Sequence, residues 1–193
     1  MLYFFGVLWY TNRMKYNYKQ LYERSASFYN SKPKAKKLLC FFNSFLTALF
    51  GVAYLALWVY AILCSKFSIH DYIRITFVPA LSLFLVSILR AVIVRPRPYS
   101  DKGDGITPLK KRKGIDDDSF PSRHLACAAA IAVCFFPSLP LVGVALLLAC
   151  VALGYVRFAL GLHYPSDLLA GFAVGNIVAG LYFLLQFIVL SIA

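Results

Sequence analysis

The chain has 193 residues and a formal net charge of +12; 61% of its residues are hydrophobic and only 15% are charged. Because soluble domains are closer to half apolar, this composition excludes an ordinary soluble protein. It predicts an all-α, multi-pass transmembrane helical bundle. The basic residues flank apolar segments, which favours anionic lipid headgroups and phosphate substrates as partners and argues against nucleic acid.

The first 37 residues predict an interfacial segment. An apolar start is followed by many Lys, Arg and Tyr residues over Thr11–Lys37, a pattern typical of a basic amphipathic helix at a membrane surface. A solvated linker is the alternative. Met1–Tyr10 has neither a basic start nor a small-residue cleavage site, so we expect no cleaved signal peptide. We therefore divide the chain into an interfacial segment, residues 1–37, and a membrane-embedded domain, residues 38–193.

Apolar runs after this segment predict about five membrane spans. Four runs have the roughly 20 residues that a helix needs to cross a bilayer. They are Leu38–Cys64, Tyr72–Val94, Leu139–Leu160 and Asp167–Leu190. A fifth run, Arg123–Pro137, is shorter, and we expect it to span with its ends buried in protein. The one long polar loop is Arg95–Phe120.

The five cysteines predict neither a metal site nor a disulfide framework. All lie inside apolar runs, their number is odd, and no two form a Cys-x-x-Cys pair. Free cysteine is commonly a small buried hydrophobe, and we assign that role to each of them. They are Cys40, Cys64, Cys127, Cys134 and Cys150.

The order of the spans predicts that the loops with candidate functional residues lie on one side of the membrane. The loop after the second span and the loop after the fourth span are separated by two crossings. Both loops therefore emerge at the same surface. Residues between Arg90 and His124 can meet residues between Arg157 and Asp167 there.

His163 and Asp167 form a candidate catalytic pair. They are four residues apart, and Pro165 is suited to be the first residue of the last helix. If the helix extends back to His163, both side chains share one face. The carboxylate can then hold one imidazole nitrogen while the other acts as a nucleophile or base. A helix cap beside an interfacial polar residue is the alternative.

The sequence Pro121-Ser122-Arg123-His124 opens the third span. Backbone N–H groups at a helix N-terminus bind anions, so Ser122 and these groups predict a phosphate site with His124 as general acid. In the alternative, Ser122 is a simple N-cap and His124 faces lipid headgroups.

Three arginines are candidate phosphate ligands, because a guanidinium group binds phosphate oxygens in bidentate fashion. Arg90 and Arg157 lie deep in apolar runs, where a buried anion best explains them, and Arg97 lies in the loop between two prolines. Arg95 is interpreted instead as an arginine that extends to the membrane interface.

In chain order, the motifs resemble the type-2 phosphatidic acid phosphatase family, which shares its site with vanadium haloperoxidases and bacterial acid phosphatases. The motifs are Arg90-x6-Arg97-Pro98, Pro121-Ser122-Arg123-His124 and Arg157-x5-His163-x3-Asp167. Three positions depart from the family pattern. Arg90 replaces the usual Lys, Arg123 replaces a Gly and Val156 replaces a Ser.

The resemblance implies a covalent mechanism without a metal or cofactor. His163, oriented by Asp167, would attack phosphorus and form a phosphohistidine, and His124 would protonate the leaving oxygen and later activate water. The implied phosphate ligands are Arg90, Arg97, Ser122, Arg157 and the adjacent Arg123.

The resemblance also implies a lipid phosphatase in the cell membrane, with phosphatidic acid, phosphatidylglycerophosphate or undecaprenyl diphosphate as substrate. A non-catalytic lipid-binding or transport protein is the first alternative, and a haloperoxidase is the second. Members of this family usually place the site on the extracytoplasmic or lumenal side. The distribution of Lys and Arg would place it in the cytoplasm by the positive-inside tendency. The sequence gives no indication of oligomeric state.

Overall fold

The structure is a computed structural model that describes residues 18–64, 67–100, 102–110 and 118–192. Within these residues the regular structure is entirely helical. Helix α1 occupies residues 18–31. It is followed by α2 (Pro33–Leu63), α3 (Ile69–Val92), α4 (Arg123–Cys134), α5 (Pro140–Ala159) and α6 (Pro165–Ile192).

Four helices, α2, α3, α5 and α6, are long and apolar enough to cross a membrane. They match the four long predicted spans with their ends shifted by a few residues. Proline occupies the first turn of α2, α5 and α6, where its missing N–H would have no partner within the helix. α3 begins instead with a capping box, in which Ser68 and Asp71 each accept from the other's backbone N–H.

The fifth predicted span is the shortest helix of the membrane domain. α4 has 12 residues and ends at Cys134, three residues before the predicted end at Pro137. At 1.5 Å per residue it is about 18 Å long, less than the roughly 30 Å of a bilayer core. It packs against α3, α5 and α6. Because protein surrounds it, a helix of this length can lie within the membrane.

Two glycines allow α6 to approach α4 closely. A Cβ added to Gly171 would lie 2.4 Å from the carbonyl oxygen of Ser122, and one added to Gly175 would lie 2.3 Å from that of Ala126. Small residues four positions apart commonly permit such contact between membrane helices. The contact brings the start of α4 to the start of α6.

The N-terminal segment is partly described. α1 buries Tyr18, Tyr22 and Ala26, and the Tyr22 hydroxyl donates to the carbonyl of Thr107 at 2.8 Å. Residues 1–17 of the predicted interfacial helix lie outside the described residues. The predicted boundary after residue 37 falls inside α2, and the interfacial position of the segment stays a prediction.

Candidate active site

The connection between α5 and α6 carries His163. Gly161 in this turn has a φ of +75°, and a Cβ there would lie 2.8 Å from the Tyr22 ring, so glycine is required on both counts. The Tyr18 ring packs edge-on against Tyr164, with 4.8 Å between ring centroids. Helix α1 therefore covers the turn and buries it.

The imidazole of His163 contacts a different group at each nitrogen. Nδ1 is 3.1 Å from the carbonyl oxygen of Ser119, and Nε2 is 3.3 Å from Nη1 of Arg97. A carbonyl oxygen only accepts and a guanidinium only donates. We therefore assign the proton of neutral His163 to Nδ1, which leaves the lone pair of Nε2 facing Arg97.

Asp167 supports the same turn. Its Oδ2 accepts from the backbone N–H of Tyr164 at 2.9 Å and lies 3.6 Å from Nδ1 of His163. The pairing argument from the sequence assumed that the helix extends back to His163. In the structure the helix begins at Pro165. Asp167 nevertheless approaches the imidazole, because it caps the helix and faces the turn that precedes it.

Burial keeps His163 neutral. The side chain is 2% exposed, and this burial is the main cause that lowers its pKa to about 4. The neighbouring carboxylate of Asp167 raises the pKa, and the charges of Arg97 and Arg157 lower it. The neutral imidazole is therefore the form present at neutral pH.

Arg90 organises the loop that precedes α4. Its guanidinium donates to the carbonyl of Pro121 at 3.3 Å and to that of Asp118. Ser119, between these two residues, supplies the carbonyl that holds His163. Arg90 thus fixes the loop that contacts the imidazole of His163.

Ser122 is fully buried at the N-terminus of α4. Its backbone N–H donates to the carbonyl of Asp167 at 2.9 Å, which joins the starts of α4 and α6. The hydroxyl makes no capping bond, and Oγ has no hydrogen-bond partner among the described residues. This does not fit the simple N-cap interpretation.

His124 and Arg157 line one cavity of about 420 Å³ beside the turn that carries His163. Arg157 is buried and donates from Nη2 to the Thr47 hydroxyl at 3.2 Å. Leu162 also lines this cavity, and its carbonyl accepts from Arg97 at 3.1 Å. The cavity therefore adjoins the His163–Arg97 contact.

The predicted site residues do not all come together. Arg90, Arg97, Ser122, His163 and Asp167 form one buried network through the contacts above, and Arg157 and His124 share the adjoining cavity. Arg123 is exposed in the first turn of α4. In the described part of the chain, no hydrogen bond or ion pair joins Arg123 to the other predicted residues, so nothing here supports its assignment as a phosphate ligand.

Two groups of residues at the site were not predicted from the sequence. Arg95, interpreted as an interfacial arginine, is instead paired with Asp167, and Ser119 supplies the acceptor for His163. The second group lies on α2, where polar side chains face the cavity. It consists of Asn43, Ser44 and Thr47. Their occurrence inside an apolar run was the signal available from the sequence.

Sequence comparisons identify a family and partial relatives. The model of the PAP2 superfamily matches residues 71–189, more than half of the chain. Lipid A 1-phosphatase from Rhizobium etli is 35% identical over 95 residues, which cover 48% of this chain and 40% of that protein. Lipid A 1-phosphatase from Rhizobium johnstonii is 33% identical over 102 residues, covering 51% and 41% respectively. The chain thus spans about two fifths of the length of these curated relatives.

Two solved structures share the fold. A transmembrane PAP2-type phosphatidylglycerolphosphate phosphatase from Bacillus subtilis aligns with a TM-score of 0.67 and 20% identity, covering 96% of this chain and 93% of that one. Aquifex aeolicus LpxE aligns with a TM-score of 0.54 and 23% identity, covering 76% and 93%. These likenesses confirm the predicted multi-pass helical bundle.

All the predicted site residues, from Arg90 to Asp167, lie inside the range that the family model matches. The family resemblance drawn from the motifs is therefore confirmed. The chain belongs to the PAP2 superfamily, the type-2 phosphatidic acid phosphatases.

Proposed function

We propose that the protein is an integral membrane lipid phosphatase that hydrolyses a lipid phosphomonoester or diphosphate through a phosphohistidine and releases inorganic phosphate. The observation that carries the proposal is the environment of His163. Its Nδ1 is fixed by the Ser119 carbonyl, and its Nε2 lone pair faces a guanidinium group that can hold a phosphate oxygen. A neutral imidazole presented to a bound anion is suited to in-line attack on phosphorus.

The proposed reaction has two displacements. In the first, Nε2 of His163 forms a bond to phosphorus while the bond to the leaving oxygen breaks, and His124 gives that oxygen a proton. In the second, water attacks the phosphohistidine, His124 takes a proton from the water, and the N–P bond breaks to release phosphate and restore His163. His124 gives one proton in the first step and takes one back in the second, so both histidines end in their starting states. The proposed reaction uses no metal or cofactor.

Positive charge stabilises the phosphoryl oxygens in both displacements. Arg97 contacts the nucleophilic nitrogen directly, Arg157 lines the adjoining cavity, and the Ser122 hydroxyl is available to an oxygen. Electrostatic stabilisation of this kind is commonly the largest contribution to phosphoryl transfer. Asp167 keeps Nδ1 protonated and balances the charge that His163 gains when phosphorylated.

A substrate with its tail in the bilayer and its phosphate at the interface fits a site at the end of four membrane helices. We propose phosphatidic acid, phosphatidylglycerophosphate and undecaprenyl diphosphate as candidates. The partial relatives named lipid A 1-phosphatase add a lipid A phosphate to this group.

The proposal is tested on purified protein in detergent with radiolabelled phosphatidic acid. Wild-type protein is expected to release phosphate in the presence of a chelator and to give an acid-labile, alkali-stable phosphoprotein after rapid quenching. His163→Ala is expected to lose both signals. His70→Ala is the matched control, because His70 lies in the first turn of α3 and it is its backbone carbonyl, which the substitution keeps, that accepts from the Tyr182 hydroxyl. Turnover by His163→Ala would refute the proposed nucleophile, and binding without turnover by wild type would favour the transport alternative.

We further propose that the site faces the extracytoplasmic side, as in the family. Lys102→Cys in a cysteine-free protein tests this, because Lys102 is exposed in the loop on the site's side. An impermeant thiol reagent is expected to label it in intact cells and to leave Ser138→Cys, between α4 and α5, unlabelled. The reverse pattern would place the site in the cytoplasm.

A further inference from the structure

The cavity beside His163 has a polar wall that the proposed phosphate chemistry does not use. Asn43, Ser44 and Thr47 of α2 line it together with His124, Arg157 and Lys110 from the long loop. Between Lys37 and the end of α2, these three are the only polar residues that are not aromatic. Polar side chains in a membrane span are costly and generally have a binding role.

One hydrogen-bond acceptor in this wall has no partner among the described residues. Asn43 is 8% exposed, and its Oδ1 is buried without a hydrogen-bond partner among the described residues. A buried acceptor that lacks a partner costs free energy, which a ligand bearing a donor recovers. We therefore expect Oδ1 of Asn43 to accept a hydrogen bond from an O–H or N–H group of the bound substrate.

The rest of the wall supplies donors. Nζ of Lys110 donates to the Ser44 hydroxyl at 3.3 Å and retains further protons for a ligand. Thr47 connects the wall to the phosphate side, because its hydroxyl donates to the carbonyl of Asn43 at 2.7 Å and accepts from Arg157 at 3.2 Å. A ligand that reaches from Arg157 to Asn43 thus meets donors and an acceptor within one cavity.

We propose that the α2 wall binds the leaving group of the substrate, and that this group carries a free hydroxyl, as glycerol or sugar headgroups do. This inference rests on the proposed lipid phosphatase function and narrows its substrate class. A hydroxyl both donates to Asn43 and accepts from Lys110. In the bound substrate, the ester oxygens of phosphatidic acid and the ionised phosphate oxygens of a polyprenyl diphosphate only accept, so neither satisfies Asn43.

A pair of substrates separates these classes. The leaving group of phosphatidylglycerophosphate has a glycerol hydroxyl beside the reacting phosphate, whereas that of phosphatidic acid has esters alone. kcat/KM is measured for both in the same mixed micelles at equal surface concentration. Wild-type protein is expected to prefer phosphatidylglycerophosphate, and Asn43→Leu is expected to lower kcat/KM for that lipid about five- to tenfold while changing it for phosphatidic acid less than about twofold.

Two further variants control for folding. Asn176→Leu makes the same change in α6, where the amide donates to the Phe172 carbonyl and does not line the cavity, and it should leave the preference unchanged. Ser44→Ala removes a hydroxyl from an exposed position of the wall. This small change is expected to lower the preference in the same direction even if Asn43→Leu fails to fold.

The outcomes distinguish this inference from the proposed function. Equal losses on both lipids in Asn43→Leu and Ser44→Ala, or a wild-type protein without preference, would overturn the hydroxylated leaving group alone. Activity on phosphatidic acid that depends on His163 would leave the proposed phosphatase intact in that case. A wild-type protein that hydrolyses neither of these lipids, nor undecaprenyl diphosphate or a lipid A phosphate, would overturn both.

Discussion

Arg95 donates from Nη1 to Oδ1 of Asp167 at 2.8 Å, and the same nitrogen donates to the Ser166 hydroxyl at 2.7 Å. Its guanidinium also lies over the Tyr164 ring, 4.2 Å from the centroid. The backbone carbonyl of Arg95 accepts from the N–H of Ser119 at 2.7 Å. Arg95 therefore holds both groups that flank Nδ1 of His163, Asp167 through its side chain and Ser119 through its backbone.

This relationship predicts that Arg95 positions His163, the proposed nucleophile, without binding substrate. Arg95→Ala is expected to lower kcat by up to about 100-fold, because small displacements of a reacting group are costly, with little change in KM. Arg95→Lys keeps a charge near Asp167 and should recover part of kcat. Steady-state kinetics in detergent would check this.

The control for Arg95 is Arg24→Ala, which removes an exposed cation from α1 and should leave kcat unchanged. Asp167 is fully buried, so Arg95→Ala is also expected to lower the Tm. A change in KM with an unchanged kcat would show that Arg95 contacts the substrate instead.

Ser122→Ala is expected to lower activity without lowering the thermal stability. Its Oγ is buried without a partner in the described part of the chain, so Ser122→Ala removes no hydrogen bond from the free protein. The Tm is therefore expected to stay the same or rise. If the hydroxyl binds a phosphoryl oxygen in the transition state, kcat falls by about 100-fold.

Ser82→Ala is the matched control for this variant. Ser82 is also buried, but its hydroxyl donates to the carbonyl of Val78 at 2.8 Å, within α3. It should change kcat little. A Ser122→Ala protein with wild-type kcat and a lower Tm would show that the hydroxyl has only a structural role.

The sequence predicted the spans well, because the lengths of apolar runs are limited by bilayer thickness. It was less accurate for α4: the apolar run continues through Phe135 and Phe136, whereas the helix ends at Cys134. Pro137 disfavours helical geometry in the residue before it, so the end of the apolar run is not the end of the helix. The pairing of His163 with Asp167 followed from spacing alone. It holds although the helix starts later than the pairing argument assumed, because Asp167 faces the preceding turn.

Arg95 and Ser119 could not be assigned in the same way. Their roles depend on how the loop between α3 and α4 folds back, which brings Arg95 to Asp167 over 72 positions of sequence and Ser119 to His163 over 44. No local pattern encodes such contacts. Asn43 was overlooked for a different reason: it belongs to α2, far from the three motifs, and only helix packing places it at the cavity.

Acidification is expected to destabilise the folded protein through His163. Burial lowers the pKa of this imidazole from 6.5 to about 4. Between these values the unfolded chain binds a proton that the folded protein does not. The free energy of unfolding therefore falls as the pH falls through this window, by at most about 1.4 kcal/mol per pH unit. Above about pH 7.5 the unfolded imidazole is also neutral, so His163 adds no pH dependence there.

Thermal unfolding at pH 7.5, 6 and 5 would measure this effect. His163→Gln should show a smaller loss of Tm on acidification than wild type, since it removes the group that titrates. His70→Gln provides the comparison and should behave as wild type does. An identical pH dependence in wild type and His163→Gln would contradict the neutral, buried imidazole.

Close contact between α4 and α6 predicts that Gly171→Ala impairs both folding and activity. The added Cβ would lie 2.4 Å from the Ser122 carbonyl oxygen, so one helix must move, at a cost of about 1–3 kcal/mol. Because Ser122 and Asp167 lie at this contact, the movement separates the proposed phosphate site from the turn that carries His163, and kcat should fall.

Gly180→Ala is the matched control in the same helix. Its Cβ meets nothing within 4 Å, and the substitution should keep kcat and raise the Tm slightly. Equal kcat and Tm values for the two variants would show that the helices tolerate a wider spacing than the structure indicates.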